Sequence, residues 1–149
     1  MRILGVDLGS KRIGLAISDK DEVLASPYGT LERTGSYEKD HSNIVNLVTS
    51  LEVGLVVVGI PLSMDGTLQK AAHDVLAEVN ELRASLGVPV QVWDERLSTR
   101  AASNALGQAG LRARQQRSRI DQAAAAVILQ SFLDKRAHSK RQRASGLDI

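Results

Sequence analysis

Apolar residues enter this chain first as short unbroken runs, then as spaced stripes. Arg2–Leu8 and Ile13–Ser18 are almost continuously apolar and flank Gly9–Arg12, which predicts two strands joined by a tight turn. Val23–Arg33 predicts a third, antiparallel strand, bent at Pro27 and Gly29. Ile44, Leu47, Val48 and Leu51 then recur at helical spacing, predicting a packed helix over Ser42–Leu51. The run Gly54–Ile60 reads as a strand buried on both faces. After a loop at Pro61–Thr67, Val75, Val79, Leu82 and Leu86 mark a second helix ended by Gly87. Val88–Trp93 predicts a fifth strand, closed by Asp94-Glu95-Arg96. Ser98 or Thr99 can cap a third helix reaching Gly107 or Gly110. Arg112–Arg119 reads as a basic loop, Asp121–Arg136 as a last helix, and residues 137–149 as a basic, disordered tail.

That order is βββαβαβαα. A hairpin meander followed by βαβ crossovers predicts an α/β domain over residues 1–136, with a mixed five-stranded sheet flanked by helices. The length of 149 residues suits one domain, and no internal repeat suggests a second. Only four residues are aromatic, so the core must be aliphatic, and a base-stacking single-strand binder is disfavoured. Cysteine is absent and the three histidines are scattered, which leaves oxygen donors and hence Mg²⁺ or Mn²⁺ for any metal. No apolar run reaches membrane-spanning length, and the chain opens on a strand, so a cytoplasmic protein with no membrane partner is expected.

The net charge of +2 conceals an asymmetry. Residues 1–111 hold 10 basic and 14 acidic side chains, whereas residues 112–149 hold 9 basic and 3 acidic ones. A basic C-terminal third on a mildly acidic body suits a polyanion contacted on one side.

Asp7 is an acid inside an apolar strand, followed by a glycine-flanked turn bearing Lys11 and Arg12. Removing a carboxylate from water costs several kcal/mol unless something compensates it, as a metal or a phosphate-handling site would. A second acid stands at the end of the fifth strand, where ligands gather in open α/β sheets. Side chains alternate, so either Asp94 or Glu95 faces such a site, and the residues alone leave both open. Asp121 shares a helical stripe with Ala125, Ile128 and Phe132, which points it toward the sheet. Alone, it reads equally as a charge favoured at a helix N-terminus. Three such acids suit phosphodiester hydrolysis, in which two cations ~3.5–4 Å apart serve an in-line displacement. Asp7 would then be the shared ligand. Lys11, Arg12, Arg96, Arg112, Arg114, Arg117 and Arg119 are candidates for binding flanking phosphates, while Arg100 reads as a surface ion-pair residue.

Four segments, Gly5–Asp19, Gly59–Gly66, Asp94–Thr99 and Ile120–Gln130, closely resemble the YqgF/RuvX family of bacterial RNase H-like proteins. That family is described both as Holliday junction resolvases and as nucleases maturing the 5′ end of pre-16S ribosomal RNA. The resemblance runs over residues 1 to about 136 in the same order and spacing. It implies the RNase H-like fold, Mg²⁺ or Mn²⁺ dependence and a cytoplasmic setting, and it favours Glu95 over Asp94. The implied catalytic and metal-binding set is Asp7, Glu95 and Asp121. Leu68-Gln69-Lys70 departs from the smaller, more polar residues expected after the second segment.

The expected activity is thus a metal-dependent endonuclease acting on structured RNA, the precursor of 16S rRNA. The alternatives are a resolvase of branched DNA, which would need a two-fold homodimer rather than a monomer, and a non-catalytic ribosome-assembly factor. An actin-like ATPase, suggested by Asp7-Leu8-Gly9-Ser10, would need a second domain for which 149 residues leave no room.

Overall fold

The computed structural model describes residues 1–62, 65, 69–97 and 113–144. Five strands form one sheet: β1 (Arg2–Leu8), β2 (Arg12–Ser18), β3 (Ala25–Glu32), β4 (Val53–Ile60) and β5 (Val90–Asp94). Their order across the sheet is β3-β2-β1-β4-β5, with β1–β2–β3 antiparallel and β4 and β5 parallel to β1. This is the mixed five-stranded sheet that the runs predict. The bend expected at Pro27 and Gly29 is a bulge in the edge strand: Leu15 pairs with Gly29 and the next residue, Ala16, with Pro27. Proline is tolerated there because an edge strand need not donate to a further neighbour.

Three helices cover the sheet: α1 (Tyr37–Ser50) and α2 (Lys70–Ser85) on one face, α3 (Ala113–Ala144) on the other. Leu4, Val6, Leu15, Val56 and Val58 meet Ile44, Val48, Val79 and Leu82 beneath α1 and α2. Ile3, Ala16, Leu55 and Val57 meet Ala125, Ile128, Leu129, Phe132 and Leu133 beneath α3. Central strands covered on both faces read as unbroken apolar runs.

Several boundaries differ from expectation. α1 starts five residues earlier than Ser42, because Ser36 caps it by accepting from the Lys39 N–H at 3.3 Å and its first turn buries polar Asp40 and His41. Residues 113–119 are not a loop but the opening turns of α3. α3 also continues through residues 137–144, so most of the expected tail is helical. Lysine, arginine and alanine are good helix formers, and cations in a last turn favour the helix dipole. Glu22 adds a tether: its Oε1 lies 2.8 Å from Arg136 Nε and 3.5 Å from Lys140 Nζ. The Arg136 contact is an ion pair out of line for a hydrogen bond. The helix expected after Ser98 or Thr99, with Arg100 and Arg112, lies outside the described residues.

Candidate active site at the end of the central strand

Asp7 is the penultimate residue of β1, half-buried, and lies on the face that carries Ile3 and Gly5 toward α3. Its partner across β2 is Gly14. On the other side, Val6 pairs with Val58, so the next residue of β4, Gly59, runs alongside Asp7. Asp7 therefore stands between two positions without a Cβ.

Each of those glycines is covered by one of the other acids. A Cβ added at Gly14 would overlap the Asp121 carbonyl and lie 3.2 Å from the Asp121 Cβ. One added at Gly59 would lie 3.0 Å from both Cγ and Oε1 of Glu95. Glycine inside a strand often marks such a close approach. Adjacent strands are ~4.8 Å apart, so Asp121 and Glu95 come to lie against the strands on either side of Asp7. Gly14 and Gly59 are close-approach positions that the acid pattern does not reveal, although a glycine inside each apolar run is a readable signal.

The alternation at the end of β5 separates Asp94 from Glu95. Trp93 packs edge-on against Phe132, with ring centroids 5.4 Å apart, and so faces α3. Asp94 instead holds Arg96, accepting from its backbone N–H at 2.9 Å and from its guanidinium at 2.6 Å. Those contacts, the Arg96 side chain first, hold the Asp94 pKa below its ordinary value despite some burial, and Asp94 in turn raises that of Arg96.

Asp121 lies in the third turn of α3, not at its N-terminus, so a favourable helix-end charge does not account for it. Its Oδ2 accepts from Arg12 Nε at 2.8 Å. The described residues contain no group of three acidic or histidine side chains close enough to hold a metal ion. Donor chemistry and cradle nonetheless suit a hard cation: the acids supply only oxygen, and the floor between them has no side chains. The fit requires Asp121 to turn from Arg12.

Among the candidate cations, Lys11 and Arg119 are exposed, Arg12 holds Asp121 and Arg96 holds Asp94. Arg114 and Arg117 lie in the opening turns of α3, and Arg112 lies outside the described residues.

The turn after Asp7 is held from beneath by a cluster that the sequence pattern does not announce. Arg33 donates from Nε to Gly9 O at 2.9 Å and from its backbone N–H to Lys11 O at 3.0 Å. Its guanidinium grips Glu78 at 2.6 and 2.9 Å and reaches Asp40 at 3.3 Å. His41 Nε2 lies 2.9 Å from Glu78, and Asp40, His41 and Glu78 are all buried. Burial opposes ionisation of both acids. Thr34 and then Arg33 outweigh it at Asp40, and Arg33 with His41 outweigh it at Glu78, so both pKa values fall below the ordinary range.

Comparison with known proteins agrees with this architecture. Residues 1–135 match the family model described as RuvX, Holliday junction resolvase. A protein of Mycobacterium sp. (strain KMS), named "Putative pre-16S rRNA nuclease", is 45% identical over 136 residues, covering 91% of this chain and 80% of its own. One of the same name from Anaeromyxobacter sp. (strain K) is 47% identical over 137 residues, covering 92% of this chain and 99% of its own. Among solved structures, Thermus thermophilus RuvC in complex with a Holliday junction substrate superposes with a TM-score of 0.58 at 17% identity. That superposition covers 92% of this chain and 96% of RuvC, and at such identity it shows the fold alone, the RNase H-like one.

Proposed function

The chain belongs to the RuvX Holliday junction resolvase family, and from that footing we propose that it is a metal-dependent endonuclease whose Asp7, Glu95 and Asp121 form the catalytic, metal-holding set. One observation carries the assignment: the two residues flanking Asp7 across the sheet are glycines, one under Asp121 and the other beside Glu95. Asp7, lying between them, is the carboxylate placed to be shared. Mg²⁺ or Mn²⁺ bound there would activate water, offset charge at phosphorus and stabilise the leaving alkoxide.

The chain's own residues supply position and counter-charge. Arg33 fixes the backbone of Gly9 and Lys11, so the turn after Asp7 is rigid before substrate arrives. Arg12, now held by Asp121, meets a phosphate oxygen once that carboxylate turns inward. Lys11, Arg96 and Arg119 line the approach, with Arg112, Arg114 and Arg117 on the entry to α3.

The substrate we favour is the 5′ leader of pre-16S rRNA, in the bacterial cytoplasm, because relatives sharing 45–47% identity carry that name. The family description supports a second reading, cleavage of branched DNA. The nuclease domain spans residues 1–136. Purified protein incubated with Mg²⁺ or Mn²⁺ should cut a pre-16S leader in preference to a four-way DNA junction or plain duplex. Preferential cutting of the junction by a dimer would transfer the assignment to the second reading. No cutting of any of the three would overturn the nuclease assignment.

A further inference from the structure

α3 changes character along its length. Its sheet-facing stripe is apolar at Ala125, Ile128, Leu129, Phe132 and Leu133, all buried. Beyond Leu133 no residue through Arg143 is buried, so the helix overhangs the sheet. The same stripe continues there as Lys135, Ser139, Lys140 and Arg143, at offsets of three, seven, eight and eleven residues from Phe132. An inward face that turns basic where the sheet ends has no apolar work left to do.

These side chains line a cleft of about 330 Å³ against the edge strand β5, with Trp93 and Phe132 at its root. Trp93, at the root of the cleft, precedes Glu95 by two residues along the chain. Its far end lies ~33 Å along the helix from Asp121, at ~1.5 Å per residue. Residues 135–143 contain five cations and no acid. Arg136 and Lys140 line this cleft and also reach Glu22, and Lys135 and Arg143 line it beside them.

We infer that this cleft is a second docking site for the sugar-phosphate backbone of a polynucleotide, continuing the track of the strand that occupies the acids. The occupant is nucleic acid because cations spaced along one helix face line the cleft, Glu22 meeting Arg136 and Lys140 among them, and such a row matches phosphates spaced along a backbone. The inference rests on the nuclease reading for the identity of its ligand.

The test compares wild type with the Lys135→Ala/Arg143→Ala double variant in the full chain. Binding to a 24-base-pair duplex is measured in EDTA, across a salt series, once with RNA and once with DNA. Each lost phosphate contact to duplex should flatten the log–log salt slope by about 0.9, hence by roughly 1.8 for the pair. Quenching of Trp93, the sole tryptophan, should weaken in parallel. A control, Lys20→Ala/Lys39→Ala, removes two exposed cations elsewhere and should leave the slope unchanged. An unchanged slope in a helical, folded double variant overturns the inference. So does loss of self-association in place of nucleic-acid binding, which would assign the cleft to an acidic face of a second copy. Cleavage of a pre-16S leader in Mg²⁺ by the wild type is followed separately. Its failure bears on the nuclease reading and not on the cleft.

Discussion

The two faces of the sheet both gather acids near the end of β1, with opposite outcomes. Beneath α1 and α2, Asp40, Glu78 and His41 close around Arg33, and the chain's own groups match one another. Facing α3, Asp121 packs against Gly14 and Glu95 against Gly59, the two glycines that flank Asp7. The first arrangement fixes the backbone of Gly9 and Lys11. The second brings Asp121 and Glu95 close to the strands beside Asp7, where we propose that a cation is held. Similar residues thus serve rigidity on one face, in a cluster that Arg33 closes, and under the proposed function chemistry on the other, in a cluster open to a metal ion.

The largest expected effect falls on the closed cluster. Arg33→Met leaves two buried carboxylates without their cation, and breaking such a pair costs about 3–5 kcal/mol. Chemical denaturation should show that loss, and Arg33→Lys should recover only part of it, since an ammonium cannot grip Glu78 with two teeth. Acid should reproduce the effect more gently. Asp40 and Glu78 bind protons more weakly in the folded state than in the unfolded one, so protonation favours unfolding. Their contribution is complete above the ordinary values of 3.8 and 4.5 and disappears as pH falls through the lowered ones. If Arg33→Met cost less than about 1 kcal/mol, the cluster would not be the clamp described here.

The open cluster should respond in activity and not in stability. Asp7→Asn keeps the shape of the side chain and removes its charge, so cleavage should fall by more than the ~10–100-fold typical of residues that merely orient metal ligands. Thermal unfolding without metal should be unchanged or slightly later, because neighbouring acids repel less. Near wild-type cleavage would remove Asp7 from the mechanism.

Gly14→Ala tests the floor itself. Its methyl group would overlap the Asp121 backbone, so α3 must shift, at a cost of about 1–3 kcal/mol. Cleavage should fall although no acid has been touched. A stable, fully active variant would show that Asp121 need not sit so close to β2.

These tests also bear on what the sequence makes legible. The central strands are readable because burial on both faces produces unbroken apolar runs, and the 121–125–128–132 stripe correctly turns Asp121 toward the sheet. Both ends of α3 escape the same reading, since residues 113–119 and 137–144 carry no apolar period in the sequence. Arg33, Asp40, His41 and Glu78 escape it for another reason: each looks like a surface charge, and only the pairing of β3 with two helices brings them together. Gly14 and Gly59 are visible as glycines, but what lies over them is a property of the fold.

The smallest expected effect separates two neighbouring residues. Asp94 and Glu95 are both acids at the end of β5, yet Asp94 is engaged by Arg96 while Glu95 lies against Gly59 beside Asp7. The Asp94–Arg96 pair is partly exposed, with side-chain exposures of 21% and 35%, and such pairs are worth about 0–1 kcal/mol. An asparagine at 94 still offers an oxygen to the Arg96 N–H, so Asp94→Asn should change stability by less than about 1 kcal/mol. Its cleavage rate should stay within a few fold of wild type, whereas Glu95→Gln should approach the deficit of Asp7→Asn. The two variants measured side by side, on one substrate and at one metal concentration, decide which carboxylate serves the site. A severe loss from Asp94→Asn with Glu95→Gln nearly intact would reverse the assignment and require the end of β5 to turn over when metal or substrate binds.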